Sequence, residues 1–321
     1  MNIFISLKNL YYICIIDIIM TGYLKNSDID RTKWDLCIAQ SPAETIYPYA
    51  WYLDIVSPSW DALVLGDYVA VFPLTQRKKA GINYLIQPSA CQQLGMFEKF
   101  SETISVNRFL SEIPEKFKYT DIKLNISNIP EPNGFAIKEN HTYEMFLGKK
   151  YEEISAKYSD NVKRNIKKAH SGNLEIRENI DPRLVINLYR SNQGVKLNHP
   201  NTEYKTLEKV IKECDARKKA VVKGVFTSAG DLCAGAFFVT SHLKTIFLFS
   251  STNSEARSNG AMHLLIDSHI KTNAGKPLVL DFEGSNEPGL ARFYSSFGSE
   301  KKVYYSVKKN SLPRLLRILK K

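Results

Sequence analysis

The chain has 321 residues, 44% of them hydrophobic and 24% charged, with a formal net charge of +11. Such a composition gives room for two domains of ordinary size and excludes a fibrous, low-complexity or mainly disordered protein. Residues 301–321 hold Lys301, Lys302, Lys308, Lys309, Arg314, Arg317, Lys320 and Lys321 and no acid, so this segment supplies +8 of the +11. The rest is only mildly basic, which argues against a DNA-binding protein.

Five cysteines (Cys14, Cys37, Cys91, Cys214, Cys233) are odd in number and form no Cys-x-x-Cys pair, a pattern that implies a reduced, cytoplasmic setting. The six histidines contain no His-Glu-x-x-His motif and no pair four apart, so no metal is expected. Asn2 to Met20 is apolar, but Lys8 and Asp17 interrupt it and no small-residue cleavage site follows. It is too broken for a spanning helix or a signal peptide. Thr21-Gly22-Tyr23-Leu24 then reads as a first strand, so residues 1–20 are expected to be an extension, with Met20 as the natural start and an N-terminal anchor as the alternative.

Residues 21–135 read as a first domain. Asp28 or Asp30 caps a helix through Trp34, Leu36 and Ile38, which ends before Ser41-Pro42. Tyr47 to Leu53 is a polar and aromatic stretch without a clear period. Asp61–Leu65 and Tyr68–Thr75 are strand-like runs joined by Gly66-Asp67, a two-residue hairpin signal. Arg77-Lys78-Lys79 reads as an exposed turn before a strand at Ile82–Gln87. A loop with Gln92, Gln93 and Gly95, a helix near Val106–Ile113 and a strand at Asp121–Ile126 follow, and Pro130, Pro132 and Gly134 mark a break.

Residues 136–310 read as a second domain with the same order of elements, and 311–321 as a basic tail. Ile154, Tyr158, Val162 and Ile166 recur every four residues in a helical segment from Tyr151 to Ala169, within which Ser159 can cap a second helix. Leu174–Arg177 is a strand; Pro182–Asn192 and Thr202–Cys214 are helices. Ala220–Thr227 and Leu232–Thr240 form a hairpin, and Thr245–Ser251 is a third strand. Asn259 opens a helix through Leu265, Ile266 and Ile270 that Gly275 and Pro277 stop. The short apolar run Leu278–Glu283 ends in two acids, Asp281 and Glu283, as a buried strand with emerging carboxylates would. Pro288 starts a helix carrying Ala291, Phe293, Tyr294 and Phe297, Gly298 closes it, and Val303–Val307 is the last strand.

Chemistry concentrates in this second half. Asp281 and Glu283, two apart on a regular strand, would share a face and could orient or deprotonate an amine, or be solvated or paired with Arg292. Arg257, Asn259 and Gly260 stand at a helix N-terminus, where free N–H groups and the helix dipole favour an anion; the alternative is a plain N-cap. Lys163, Arg164, Lys167 and Lys168 align as a basic helical face, either solvated or a guide for an acidic substrate or tRNA phosphate. Trp51, Tyr52, Gln92 and Gln93, with Gln193 and Lys196 from the second half, are aromatic and amide residues in expected loops, where they would form cleft walls.

Three stretches together resemble the GNAT acyltransferase fold. Arg257-Ser258-Asn259-Gly260-Ala261-Met262 stands where that family has its pyrophosphate loop, although Met262 replaces a small residue. Asn286 through Ala291-Arg292-Phe293-Tyr294-Ser295-Ser296-Phe297-Gly298 stands where it has its last helix. Asp281-Phe282-Glu283-Gly284-Ser285 before that helix, and Arg164-Asn165-Ile166-Lys167-Lys168-Ala169 on the basic helix, resemble the Fem-type branch of double GNAT-like proteins.

The resemblance implies an α/β fold of two tandem GNAT-like domains, each a mixed, mostly antiparallel sheet flanked by helices. It implies a cytoplasmic, bacterial transferase that passes an acyl group from a thioester, acyl-CoA, to a small-molecule or peptide amine in a cleft between the domains. Tyr294 would protonate the leaving thiolate, for which a phenol that stays protonated at neutral pH is suited, unless it only packs its helix on the sheet. Arg257, Asn259, Gly260 and Ala261 would bind the donor, and Trp51, Tyr52, Gln92, Gln93, Arg164, Lys168, Gln193 and Arg292 the substrate. Two other readings stay open, an aminoacyl-tRNA-dependent transferase of cell-wall type and a non-catalytic protein that keeps the fold. Fem-type users of tRNA carry a long coiled-coil arm, and the absence of an extended heptad run favours the thioester.

Overall fold

The computed structural model describes residues 20–99, 104–194, 201–284 and 286–313, without the side chains of Gln193 and Arg257. The described chain forms two compact units: one up to Asn140 together with the residues from Val303 onward, the other from His141 to Lys302. The last strand, expected at the end of the second half, thus returns to the first unit.

In the first unit, β1 (Thr21–Leu24), β2 (Asp61–Leu65), β3 (Ala70–Leu74) and β6 (Phe97–Glu98) make an antiparallel sheet in the order β1-β2-β3-β6. β4 (Gln76–Lys79) pairs antiparallel with β5 (Ile82–Ile86), β5 parallel with β7 (Phe117–Lys123), and β7 antiparallel with β14 (Glu300–Asn310) through Ser306–Asn310. Helix α1 (Arg31–Gln40) starts where the Asp30 carboxylate accepts the N–H groups of Thr32 and Lys33, at 3.0 and 3.1 Å, and buries Trp34, Cys37 and Ile38. Helices α2 (Ala50–Val56) and α3 (Val106–Ser111) add Tyr52, Leu53, Phe109 and Leu110 to buried positions. Asp61 is a polar node beside this core. Its carboxylate accepts from Tyr23 Oη, from the Asn26 N–H at 3.0 Å and from Gln76 Nε2 at 2.6 Å, and lies 3.3 Å from Lys116 Nζ. Every donor that a buried carboxylate needs is present.

The second unit is built on β8 (Ala136–Phe146, here from His141), β9 (Glu175–Glu178), β10 (Ala220–Phe226), β11 (Leu232–Thr240), β12 (Lys244–Thr252) and β13 (Val279–Asp281). Their order is β8-β13-β12-β11-β10-β9, antiparallel throughout except for β12 beside β13. Helices α4 (Tyr151–Ala156), α5 (Asp160–Ser171), α6 (Pro182–Tyr189), α7 (Asn201–Ala216), α8 (Ala256–Asn259), α9 (Ala261–Asn273) and α10 (Pro288–Ser295) flank the sheet. Strand alternation assigns the faces. Ala234 and Ala236 enter a core with Val162 of α5 and Leu264, Leu265 and Ile270 of α9, whereas Gly235 between them turns to the other face. There a side chain on Gly235 would lie 2.6 Å from Val185 of α6, so only a glycine admits that helix.

Several elements differ from their sequence expectation. Trp51 and Tyr52 lie on helix α2, not in a loop, and Arg77-Lys78-Lys79 belongs to β4, with the turn displaced to Ala80-Gly81. Gly66-Asp67 is not a two-residue hairpin: β3 begins at Ala70, and Tyr68 takes a left-handed φ of 56° in the longer connection. β8 had no strand signal because buried Asn140, Thr142 and Glu144 break its apolar pattern. β13 stops at Asp281, so Phe282 and Glu283 lie beyond the strand.

Candidate functional site

β12 and β13 are paired only at Lys244–Val279, Thr245–Leu280 and Ile246–Asp281. β13 ends at Asp281, whereas β12 runs on through Phe247 to Thr252. This later part of β12 borders a cavity of about 340 Å³ lined by Phe247, Ser250, Ser251 and Thr252 of β12, Ala256 of α8, Met262 and His263 of α9, and Leu290, Phe293 and Tyr294 of α10.

Tyr294 stands in this wall with its ring 5.3 Å from Phe282, 5.8 Å from Phe293 and 6.4 Å from Phe247. Burial among aromatic rings, and then the negative charges of Glu283 and Glu287, raise its hydroxyl pKa far above the ordinary phenol range. The group stays protonated at any physiological pH. His263 meets Phe293 edge-on at 5.0 Å and lies near-parallel to Phe297 at 5.9 Å. Burial pushes its pKa down to about 4, so the imidazole is neutral.

Beside the cavity the chain leaves β13 in an unusual way. Glu283 has a left-handed φ of 59°, a conformation that bulky side chains seldom adopt. Its N–H is held at 2.9 Å by Asp281 Oδ1, which also accepts from Thr142 Oγ1 at 2.6 Å. Asp281 is 4% exposed and lies 3.7 Å from Lys244 Nζ, and Lys244 in turn bonds Glu144 at 2.5 Å. Burial keeps the Glu144 carboxyl above its ordinary range, although Lys244 beside it pulls the other way. Asp281 therefore fixes the turn that carries Glu283, while Glu283 is the carboxylate felt by Tyr294.

The residues expected to bind the donor gather at the head of α9. Asn259 Oδ1 accepts the Ala261 N–H at 3.0 Å, and Gly260, at φ +80°, is buried against α5: a Cβ there would lie 2.2 Å from the Asn165 carbonyl oxygen. Gly260 thus serves helix packing, and Met262, which interrupts the small-residue pattern, lines the cavity instead. The Arg257 side chain lies outside the described residues. On α5, Arg164 and Lys168 are exposed, with an Arg164 guanidinium nitrogen 3.1 Å from Asn161 Oδ1. Arg292 is exposed on α10. Trp51, Tyr52, Gln92 and Gln93 belong to the first unit. There Trp51 packs edge-on to Tyr52 at 5.5 Å, Tyr52 donates to the Ala90 carbonyl, and Gln93 Nε2 donates to Gln92 Oε1 at 2.9 Å. The Gln193 side chain and Lys196 lie outside the described residues. His263 and Phe247 were not singled out from sequence, because a histidine inside an apolar helix carries no signal of its own.

No family model matches the chain, and no curated protein matches it in sequence. Among solved structures, FemX superposes with a TM-score of 0.66 at 12% identity, over 91% of this chain and 99% of its own. The chain has the Fem-type GNAT fold. L-PGS from Bacillus licheniformis follows with a TM-score of 0.52 at 11% identity, over 90% of this chain and 95% of that one. The C-terminal domain of an Agrobacterium fabrum protein named as a lysylphosphatidylglycerol synthetase gives 0.50 at 10%, over 89% and 93%. At these identities the likeness establishes the architecture alone. Among the described residues no helix is long and apolar enough to cross a membrane, and no group of three or more His, Cys, Asp or Glu side chains is placed to hold a metal.

Proposed function

We propose that the protein is an N-acyltransferase that takes an acyl group from a thioester, acyl-CoA, and passes it to an amine. The observation that carries this reading is the phenol of Tyr294 in the wall of the cavity between β12, α9 and α10. The acyl group and its sulfur enter this cavity, and the amine approaches from the side of Glu283. The nitrogen lone pair attacks the acyl carbon while Glu283 takes the ammonium proton, directly or through water. The tetrahedral intermediate collapses with cleavage of the C–S bond, and Tyr294 gives its proton to the departing thiolate. Burial keeps this phenol protonated until the C–S bond breaks; because the thiolate is the weaker base, the proton moves onto sulfur as the phenolate regains one from the protonated Glu283, which returns both groups to their starting states. Arg257 and the head of α9 receive the donor's phosphates in this reading.

A second donor, aminoacyl-tRNA, is favoured by one observation: Lys163, Arg164, Lys167 and Lys168 all lie exposed on α5. A thermal-shift panel of acetyl-CoA, longer acyl-CoAs, free CoA and charged tRNA separates the two, since a ligand at a hundred times its Kd adds about 2.7 kcal/mol of stability. A shift with acyl-CoA supports the proposal, a shift with charged tRNA alone replaces the donor, and no shift favours the non-catalytic alternative.

A further inference from the structure

We propose that Ser250 and Thr252 are the specificity-determining residues of the cavity, and that their hydroxyls hold a neutral amide or hydroxyl of the donor, carried either by the acyl group or by the arm to which it is attached. The inference rests on the acyl-transfer reading and assigns that site its polar contacts. Three observations lead to it.

The first is where the side chains point. Residues directly opposite each other in an antiparallel pair share a face. Ser250 pairs with Ala236 and Thr252 with Ala234, and both alanines enter the core with Leu264 and Leu265 of α9. The two hydroxyl-bearing side chains therefore project to the side of α9, whose Met262 and His263 line the cavity. Ser251 between them pairs with Gly235, on whose face α6 lies. Phe249, two residues before Ser251 on that face, meets Tyr189 of α6 at 4.9 Å. Ser251 thus turns its hydroxyl away from the cavity.

The second is that the two hydroxyls are open. Ser250 and Thr252 are half-buried, and neither side chain makes a hydrogen bond with a described residue. The unpartnered Ser251 Oγ and His263 Nε2 are sealed from solvent, whereas the Ser250 and Thr252 hydroxyls are not. A ligand in the cavity can reach the open pair and cannot reach the sealed atoms.

The third is the chemistry of the wall. Phe247, Ala256, Met262, Leu290 and Phe293 are apolar, and the described lining holds no Asp, Glu, Lys or Arg. An ion would enter without a counter-charge, whereas a hydroxyl, which both donates and accepts, suits a neutral amide or hydroxyl. Two strand residues span about 7 Å, so a chain lying along β12 meets both Ser250 and Thr252. Tyr294 is committed to the thiolate in this reading, which leaves these two to fix the chain. Sites that bond a polar group of the substrate reject the analogue that lacks it, and purely apolar pockets discriminate weakly.

The test is calorimetric, with non-reactive donor analogues in isosteric pairs. Butyryl- and 3-hydroxybutyryl-CoA, each with the sulfur replaced by methylene, probe the thioester source. RNA minihelices ending in amide-linked valine and threonine probe the aminoacyl source. Of the pair that the wild type binds, at least one member should bind the Ser250→Ala, Thr252→Val double variant about tenfold more weakly, with an unchanged circular dichroism spectrum. A loss confined to the hydroxylated member assigns the contact to the acyl group, and an equal loss for both members assigns it to the arm. Thr252→Ser, which keeps its hydroxyl, and Ser251→Ala, whose hydroxyl faces α6, should bind as the wild type does. Undiminished affinity in the double variant, or an equal loss in Ser251→Ala, overturns this proposal and leaves the acyl-transfer reading standing. Binding of neither pair by the wild type overturns both.

Discussion

Gly260→Ala is expected to loosen the second unit far more than Gly275→Ala, and the comparison separates two roles that a glycine can have. Both residues have a left-handed backbone, φ +80° and +82°. Giving either one a Cβ in that conformation costs about 1 kcal/mol. At Gly275 nothing lies within 4 Å of the added carbon, so that strain is the whole effect. At Gly260 the carbon would stand 2.2 Å from the Asn165 carbonyl oxygen and 2.9 Å from its carbon, both of them backbone atoms that cannot swing aside. Helix α5 must move away from α9, and overpacking of this kind adds about 1–3 kcal/mol. The expected losses are therefore about 1 kcal/mol for Gly275→Ala and about 3 kcal/mol for Gly260→Ala. All three tryptophans, Trp34, Trp51 and Trp60, lie in the first unit, so their fluorescence would miss the effect. Hydrogen exchange of peptides covering 160–171 and 261–273, followed by mass spectrometry without ligand, reads it directly. Equal losses for the two variants would refute the packing role and return Gly260 to an open phosphate cradle.

Glu283→Gly removes the left-handed strain of a bulky residue and should leave stability within about 1 kcal/mol of the wild type while lowering acyl transfer, as urea unfolding and a thioester-consumption assay would report together. Tyr294→Phe keeps the ring packing and should lower kcat about a hundredfold with little change in donor affinity. Asp61→Ala leaves Tyr23, Gln76 and Lys116 facing an empty place in the first unit and should cost about 3 kcal/mol, measured by tryptophan fluorescence in urea. For His263 the folded pKa lies below the unfolded one, so the unfolded chain binds more protons between about pH 6.5 and 4. The stability difference between wild type and His263→Phe should therefore shift against the wild type as pH falls through that window, and a flat difference would contradict the burial of the ring.

The elements legible in sequence are those whose own side chains carry the pattern. β10, β11 and β12 are apolar runs between turn signals, α5 has the Ser159 cap that the sequence suggests, with Ser159 Oγ accepting the Val162 N–H, and α10 starts at Pro288. β8 was not legible, since Thr142 and Glu144 are buried only because Asp281 and Lys244 reach them from other strands. The same limit applies at the site. Tyr294 and Glu283 are visible as titratable residues in a recognisable pattern, and Glu283 is one of the charges that raise the Tyr294 pKa. Gly260 reads equally well as a phosphate turn or a packing glycine until Asn165, ninety-five positions earlier, is seen against it. Met262 reads as an intrusion until it is seen in the wall of the cavity between β12, α9 and α10. Asp281 and Glu283 read as a matched pair on one face until the strand is seen to stop between them.

The central claim is that the cavity between β12 and α10 receives the acyl end of the donor. It is tested most directly by titrating a non-reactive acyl-CoA analogue into the wild type and into Met262→Trp, whose indole fills the space that Met262 now borders. The wild type should bind, and the variant, with an unchanged circular dichroism spectrum, should bind at least tenfold more weakly. Equal affinities would place the donor elsewhere and contradict the account.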